Sequence, residues 1–291
     1  HSYMSIVANP RDDVRLRRII NEPARKIGMT TIEKIGELAA SKGVPMMEII
    51  AHVRDYSELQ RAAAALERFY EMYRELCDLS VSEPLDQFVG DVIAKSGMKA
   101  NISRGTSMFL GDDFDFEKFP ACQELVALKE KWHNYDGGRI KIEASVHAEY
   151  TSTYQLWDAL AEFAINEKLG MQVHLSETKR EHDECVEKYG LTPAQLLDCH
   201  HLFDVPTVAA HCVWLTEEDM RLLAKRHVSA AHCPVSNLKL ASGCADVMGM
   251  VKAGMNVCLG TDSVASNNNL DLFEEIKACT LMAKAKTGDP T

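Results

Sequence analysis

Four histidines and an aspartate recur at regular places in the second half of the chain, each closing a short apolar run rich in β-branched residues. They are His147 in RIKIEASVHA, His174 in MQVHLSE, His211 in TVAAHCV, His232 in VSAAHCP and Asp262 in NVCLGTDS. Imidazole and carboxylate bind divalent metals and move protons near neutral pH. One His in an apolar strand is ordinarily a hydrogen-bonded core residue. Five polar residues closing successive runs argue instead for a shared site. In MQVHLSE, alternation with period two puts Gln172, His174 and Ser176 on one face, and Glu177 falls just past the strand end beside the His174 ring. A metal ligand and a proton carrier would then be neighbours. Asp262 ends an almost wholly apolar run, where a carboxylate without a cation or hydrogen-bond donors would be costly. A metal accounts for that position. Nitrogen and oxygen donors suit zinc, and less specifically iron or manganese.

Bringing strand ends together requires strands that all point the same way. Together with MKANIS, these runs make six candidate strands, and amphipathic segments at 155–169, 192–199, 217–226 and 245–253 lie between them. That alternation marks βα units and a parallel sheet, and a parallel (β/α) barrel gathers its catalytic residues at the mouth formed by the strand ends. Upstream of Gly97 the pattern is helical. Gly28, Gly43 and Pro84 punctuate it, Thr30 or Thr31 is placed to cap a helix beginning near Ile32, and 57–79 reads as one long amphipathic helix. The expected class is α/β: a partial (β/α)8 TIM barrel of about six strands over 98–291, preceded by an all-α segment over 1–97.

Composition narrows the function. The 291 residues carry a formal charge of -11, which disfavours a general polyanion binder and favours a small-molecule substrate. No apolar run approaches the roughly 18 residues that span a bilayer. The first 30 residues hold Arg11, Asp12, Asp13, Arg15, Arg17 and Arg18 in place of a signal-peptide apolar core, and a cytoplasmic protein is expected. The nine cysteines stand singly, and Cys212, Cys233 and Cys258 in apolar runs read as buried, reduced thiols.

The strings HLSET, AAHCVWL, HCPVSNLKLASG and LGTDSVASNNNLDL, in this order, resemble the amidohydrolase superfamily, nearest its 5'-methylthioadenosine and S-adenosylhomocysteine deaminases. The resemblance covers essentially all of 98–291. It implies hydrolytic deamination of an adenine ring, with a divalent metal, most suitably zinc, lowering the pKa of water. By the same resemblance His174 and Asp262 are metal ligands. Asp262 accepts the water proton, Glu177 carries protons to the ring, His211 orients the water and His147 contacts the purine nucleoside. Arg104 in NISRGTS is placed toward an anionic substrate tail, with a plain surface role as the alternative; His232 is open between structural and functional roles. The family's first barrel strand bears a His-x-His pair. None of the eleven histidines here is separated from another by one residue, and the six runs correspond to the third through eighth strands, the first two being absent. Impaired activity is the expectation.

Residues 3–97, beginning SIVANPRDDVRLRRIINEPARKIGMTTIEKIGELAASKG, resemble the 2B accessory region of UvrD/PcrA-type DNA helicases. That resemblance implies DNA contacts through residues 11–35, where backbone amides would meet phosphates. Lys26 departs from that family's usual Gly. The chain has no G-x-x-x-x-G-K-[ST] loop. A DNA-binding accessory module with a passenger barrel fragment is therefore the alternative function. The two resemblances meet at Ser96-Gly97 without a Pro-, Gly- or Ser-rich spacer, and a chimera is expected. Reads of the source genome running unbroken through Gly97 would refute it.

Overall fold

The computed structural model describes residues 2–83, 85–109 and 114–289, so Pro84 lies outside the described residues. Two compact units are formed, one by His1–Ala100 with Asn134–Ile140 and the other by Asn101–His133 with Lys141–Thr291.

The first unit carries helices α1 (Ser2–Ala8), α2 (Asp13–Ile19), α3 (Met29–Lys42), α4 (Met46–Ala51), α5 (Ala63–Ser82) and α6 (Leu85–Ser96). The longest, α5, buries Leu66, Phe69, Tyr73 and Leu76 at spacings of three and four. They pack into one core with Leu16, Ile20, Ile35, Ile49 and Ile50. The Arg25 guanidinium ties separate segments together by donating to the carbonyls of Ile19 (2.9 Å) and Ser96 (2.7 Å) and to the Tyr3 hydroxyl (2.6 Å). Arg139 explains why 134–140 belongs to this unit: it donates to the carbonyls of Ala94 (2.8 Å) and Met98, capping the end of α6.

Two expectations are corrected here. α3 begins at Met29, because the extended backbone of Gly28 (φ -72°, ψ 163°) serves as N-cap and its carbonyl accepts from the Thr31 and Ile32 amides. Thr30 and Thr31 therefore lie inside the first turn. Nor is 57–79 one helix. A 3-10 turn at Ser57–Leu59 drives Leu59 into the core, and the Gln60 side-chain amide donates to the Arg54 carbonyl (2.9 Å), so the α-helix starts only at Ala63. Lys26 adopts φ 64°, the left-handed conformation that glycine takes most easily. Arg15, one of the cations in 11–35, is paired with Asp12 at 2.6 Å.

The second unit is built on a six-stranded sheet in the order β1 (Ala100–Ser103), β2 (Ile140–Val146), β3 (Met171–Leu175), β4 (Thr207–His211), β5 (Ser229–His232) and β6 (Asn256–Leu259). Spatial order equals chain order, as in a (β/α) barrel, without the reversal of a doubly wound sheet. β2 through β6 pair in parallel. The remaining helices are α7 (Pro120–Trp132), the short α8 (Tyr135–Gly138), α9 (Tyr154–Glu167), α10 (Lys179–Tyr189), α11 (Pro193–Cys199), α12 (Glu217–Lys225), α13 (Pro234–Lys239), α14 (Val247–Lys252), α15 (Val264–Asn267) and α16 (Leu272–Thr287). Of these, α8 belongs to the first unit; α7, α10, α13, α15 and α16 lie outside the helical segments read from the sequence. β1 and β6 are the sheet edges, and Cys258 on β6 is exposed where the sequence suggests a buried thiol. Among the described residues no helix is long and apolar enough to cross a membrane.

Phe69 is 1% exposed at the centre of the helical core. Phe69→Ala is expected to destabilise the protein by roughly 3–5 kcal/mol in denaturant unfolding. A loss below about 1 kcal/mol would show that this core does not depend on it.

Candidate active site

His174 is set by a single acceptor. The carbonyl of His147 accepts both its backbone amide (3.0 Å) and its Nδ1 (2.7 Å). A neutral imidazole that donates through Nδ1 presents the Nε2 lone pair outward, which is the usual arrangement of a metal-ligating histidine. Parallel register pairs His174 with Ala210 and Leu175 with His211, so three rings from adjacent strands line up. His147 and His174 centroids are 4.8 Å apart; His174 and His211 are stacked at 5.3 Å. His147 Nδ1 meets the Thr151 hydroxyl at 2.8 Å. Burial, then the neighbouring His174, holds the His147 pKa below the ordinary imidazole value, against the opposing pull of Glu177.

The fully buried Asn237, in the first helical turn after β5, governs the next two histidines. Its Oδ1 accepts from His211 Nδ1 at 2.9 Å, and its Nδ2 lies 3.5 Å from His232 Nδ1. His232 is thereby kept neutral as an acceptor, and burial followed by the charge of His211 pushes its pKa down to about 4. This environment favours the structural side of the two roles left open for His232. With its Nδ1 occupied, His211 turns Nε2 toward Glu177 Oε2 at 3.7 Å. A lone pair facing a carboxylate requires a proton or a cation between them. Glu177 Oε1 accepts from the Ser242 hydroxyl (3.1 Å), whose loop is fastened by Trp214 Nε1 donating to the Ser242 carbonyl (2.7 Å).

Glu177 is placed by the start of α10. Thr178 and Glu181 form a capping box, and Glu181 Oε2 accepts from the amides of Glu177 (2.8 Å) and Thr178 (3.2 Å). The period-two expectation ends before Ser176, whose φ of 47° breaks the extended run; the residue is fully buried. His211 (φ 71°), Cys212 (φ 50°) and Asp262 (φ 57°) are also left-handed. Backbone strain of this kind gathers at functional sites.

Asp262 is not the unsatisfied carboxylate that its sequence context implies. Oδ2 accepts from the Ser236 hydroxyl and Oδ1 from the Ser263 amide, both at 2.6 Å. Burial alone would raise its pKa, but these two donors, with His211 and His174, hold it below the usual carboxylate range. Hydrogen-bond donors therefore suffice to account for a carboxylate at this position, alongside the metal that the sequence suggests. Donor type at His174, His211 and Asp262 suits zinc; their grouping does not. Among the described residues no three His, Cys, Asp or Glu side chains are grouped closely enough to hold a metal. Arg104 stands apart, exposed, with its Nε donating to Glu124 Oε2 (2.5 Å). Ser236, Asn237, Ser242, Glu181 and Thr151 are site residues the sequence reading did not single out. Only the T-x-x-E string at 178–181 announces its role in sequence.

The amidohydrolase family model matches residues 28–291. A 5-methylthioadenosine/S-adenosylhomocysteine deaminase from Dictyoglomus thermophilum is 41% identical over 198 residues, covering 68% of this chain and 45% of the relative. A 5'-deoxyadenosine deaminase from Methanococcoides burtonii is 38% identical over 203 residues, covering 70% and 46%. The chain thus spans about half the length of the curated relatives it matches. Among solved structures, an adenosine deaminase from Xanthomonas campestris with bound zinc superposes with a TM-score of 0.63 at 28% identity, covering 76% of this chain and 52% of that one.

The low pKa of His232 has a measurable consequence. Between about pH 6.5 and 4 the unfolded chain takes up a proton that the folded chain refuses, so the stability this neutral imidazole contributes is present above pH 6.5 and is lost as pH falls through about 4. At most roughly 3 kcal/mol is at stake. His232→Gln should flatten that part of the profile of unfolding free energy against pH; an unchanged slope in the variant would remove His232 as its source.

Proposed function

The chain belongs to the amidohydrolase family, and we propose that its second unit carries the proton-handling half of an adenosine-type deaminase site of the 5'-methylthioadenosine and S-adenosylhomocysteine class. The observation that carries this reading is the facing pair of His211 Nε2 and Glu177 Oε2, 3.7 Å apart beside the His147 and His174 rings. In hydrolytic deamination a proton must reach a ring nitrogen and another must leave the attacking water. Glu177, held by Ser242 on one oxygen, has its other oxygen facing His211 and placed to pass a proton to the ring. His211, locked by Asn237, keeps Nε2 directed at the same space and orients the water. His147 lies one ring away and contacts the purine; Arg104 is assigned to an anionic tail on the nucleoside.

His174 and Asp262 would hold a divalent metal, most suitably zinc, with iron and manganese as alternatives, and that metal supplies Lewis acidity toward water. Asp262 is anionic at neutral pH, the state in which it would accept the water proton. Relatives at 41% and 38% identity named as adenosine-type deaminases, and a zinc-containing structural neighbour, support the assignment. Because no His-x-His pair occurs in the sequence, the proposal includes impaired turnover. The resemblance of residues 3–97 to a helicase accessory region is the support for DNA contacts through 11–35, and the charge of -11 weighs against that reading.

Purified full chain should be dialysed against zinc, analysed for bound metal, and incubated with 5'-methylthioadenosine while ammonia is measured. Sub-stoichiometric zinc and trace deamination that disappears in Glu177→Gln are expected. Stoichiometric zinc with turnover in the ordinary enzymatic range of about 1–10³ per second would overturn the impairment. Failure to bind zinc or nucleoside at all would overturn the site assignment.

A further inference from the structure

Behind the loop that carries Glu177 lies a second acidic pair that the deaminase reading does not use. Glu149 opens the 3-10 turn Glu149–Thr151 that follows β2, and Glu181 sits in the first turn of α10. Both are buried, at 3% and 5% exposure. The Glu181 carboxyl acts on Glu149 both as a neighbouring charge and as a side-chain hydrogen-bond partner. Glu149 Oε2 and Glu181 Oε1 are both buried, and among the described residues neither receives a bond from any N–H or O–H. Two buried carboxylates in contact repel, and each lone pair left without a donor carries a desolvation cost. One proton placed between them removes both penalties at once, because a protonated carboxyl donates to an ionised one.

We propose that Glu149 and Glu181 share a single proton, and that this carboxylic acid–carboxylate pair is a positioning device for Glu177. The coupling is short. Glu181 Oε2 accepts from the amides of Glu177 and Thr178, so the orientation of the Glu181 carboxylate sets the loop from which the Glu177 side chain projects. The proton resides on Glu149. Burial raises both carboxyls, but at Glu181, at the N-terminal end of α10, it is opposed by the amides of Thr178, Glu177 and Ser176, whereas at Glu149 only its own amide and that of Tyr150 oppose it. In keeping with this, burial and then the adjacent Glu181 charge push the Glu149 carboxyl up to about 8.

The groups facing the pair do not supply a compensating cation. From the turn after β2 comes Tyr150, from the loop after β3 Glu177, from α10 Cys185 and from beyond β4 Cys212. Lys188 and Asp219 act on Cys185 with opposite signs. Raising the pH through the titration of Glu149 would place two negative charges together, disturb the acceptor of the Glu177 amide and loosen the proton carrier.

The functional meaning of this pair rests on Glu177 acting as proton carrier, but its existence does not. Full-length chain labelled with ¹³C at glutamate carboxyls and ¹⁵N at amides would be titrated by NMR without substrate. One glutamate carboxyl is expected to titrate near pH 8, with the Glu177 and Thr178 amides shifting at the same midpoint. Glu149→Gln, which donates to Glu181 at every pH, should abolish both responses. The proposal is overturned if every glutamate titrates in the ordinary range near 4, if the Glu177 amide stays flat, or if the high titration survives in Glu149→Gln. Should that variant fail to fold, the wild-type carboxyl and amide midpoints alone decide. A normal titration removes the pair and leaves the deaminase reading intact; absent deamination with a titration near 8 does the reverse.

Discussion

The site depends on the parallel pairing of β3 with β4. Its register runs from Met171 opposite Thr207 to Leu175 opposite His211. A one-residue slip would turn every side chain of either strand to the other face of the sheet. In the register observed, the His147 carbonyl receives both the backbone and the ring of His174, and the His174 and His211 rings stack at 5.3 Å. β3 ends as Ser176 enters the left-handed region, and β4 ends in the same way at His211 and Cys212. Those turns let Glu177 and His211 face each other instead of continuing along their strands.

Buried polar groups make this arrangement specific rather than merely stable. Asn237, Ser236, His211 and His232 are all nearly or wholly excluded from solvent, yet each is engaged with another member of the network. A buried polar network tolerates few alternatives, since any other rotamer leaves a donor or acceptor unpaired in a medium of low dielectric. Histidine protonation follows from the same bonds. With Asn237 accepting from one ring and donating toward the other, His211 and His232 are chemically different although both close parallel strands.

The strands were legible in sequence because each is a short apolar run bounded by turn residues, and their ends were legible because His and Asp interrupt apolar runs conspicuously. The helices capped by Thr192 and Thr216 were found within two residues, whereas α10, capped by Thr178, was not read from the sequence. What was hidden is what depends on distant pairing. The donors to Asp262 come from its neighbour Ser263 and from Ser236, 26 residues upstream, and no local pattern joins those positions. Glu149 and Glu181 are ordinary acidic residues in sequence; only burial against each other makes them unusual. The misread helix at 57–79 fails for the opposite reason: its periodicity is sound from Ala63 onward, and one side-chain amide at Gln60 together with the burial of Leu59 suffices to break its beginning.

The distribution of groups suggests how the catalytic work is divided. Proton transfer needs donors and acceptors held at set angles, and those are held within the second unit by its own side chains: the Glu181 carboxylate that accepts the Glu177 amide, the Ser242 hydroxyl and the Asn237 amide. Metal binding needs a count of ligands, and three suitable donors are oriented here without being gathered around one point. Orientation and number are separable requirements, because a ligand's second bond is made to its own neighbourhood whereas coordination is made jointly. The strands of this sheet meet the first requirement independently of the second. The hydrogen bonds that orient Glu177 and His211 are therefore complete within the second unit, and this network is open to study apart from metal chemistry.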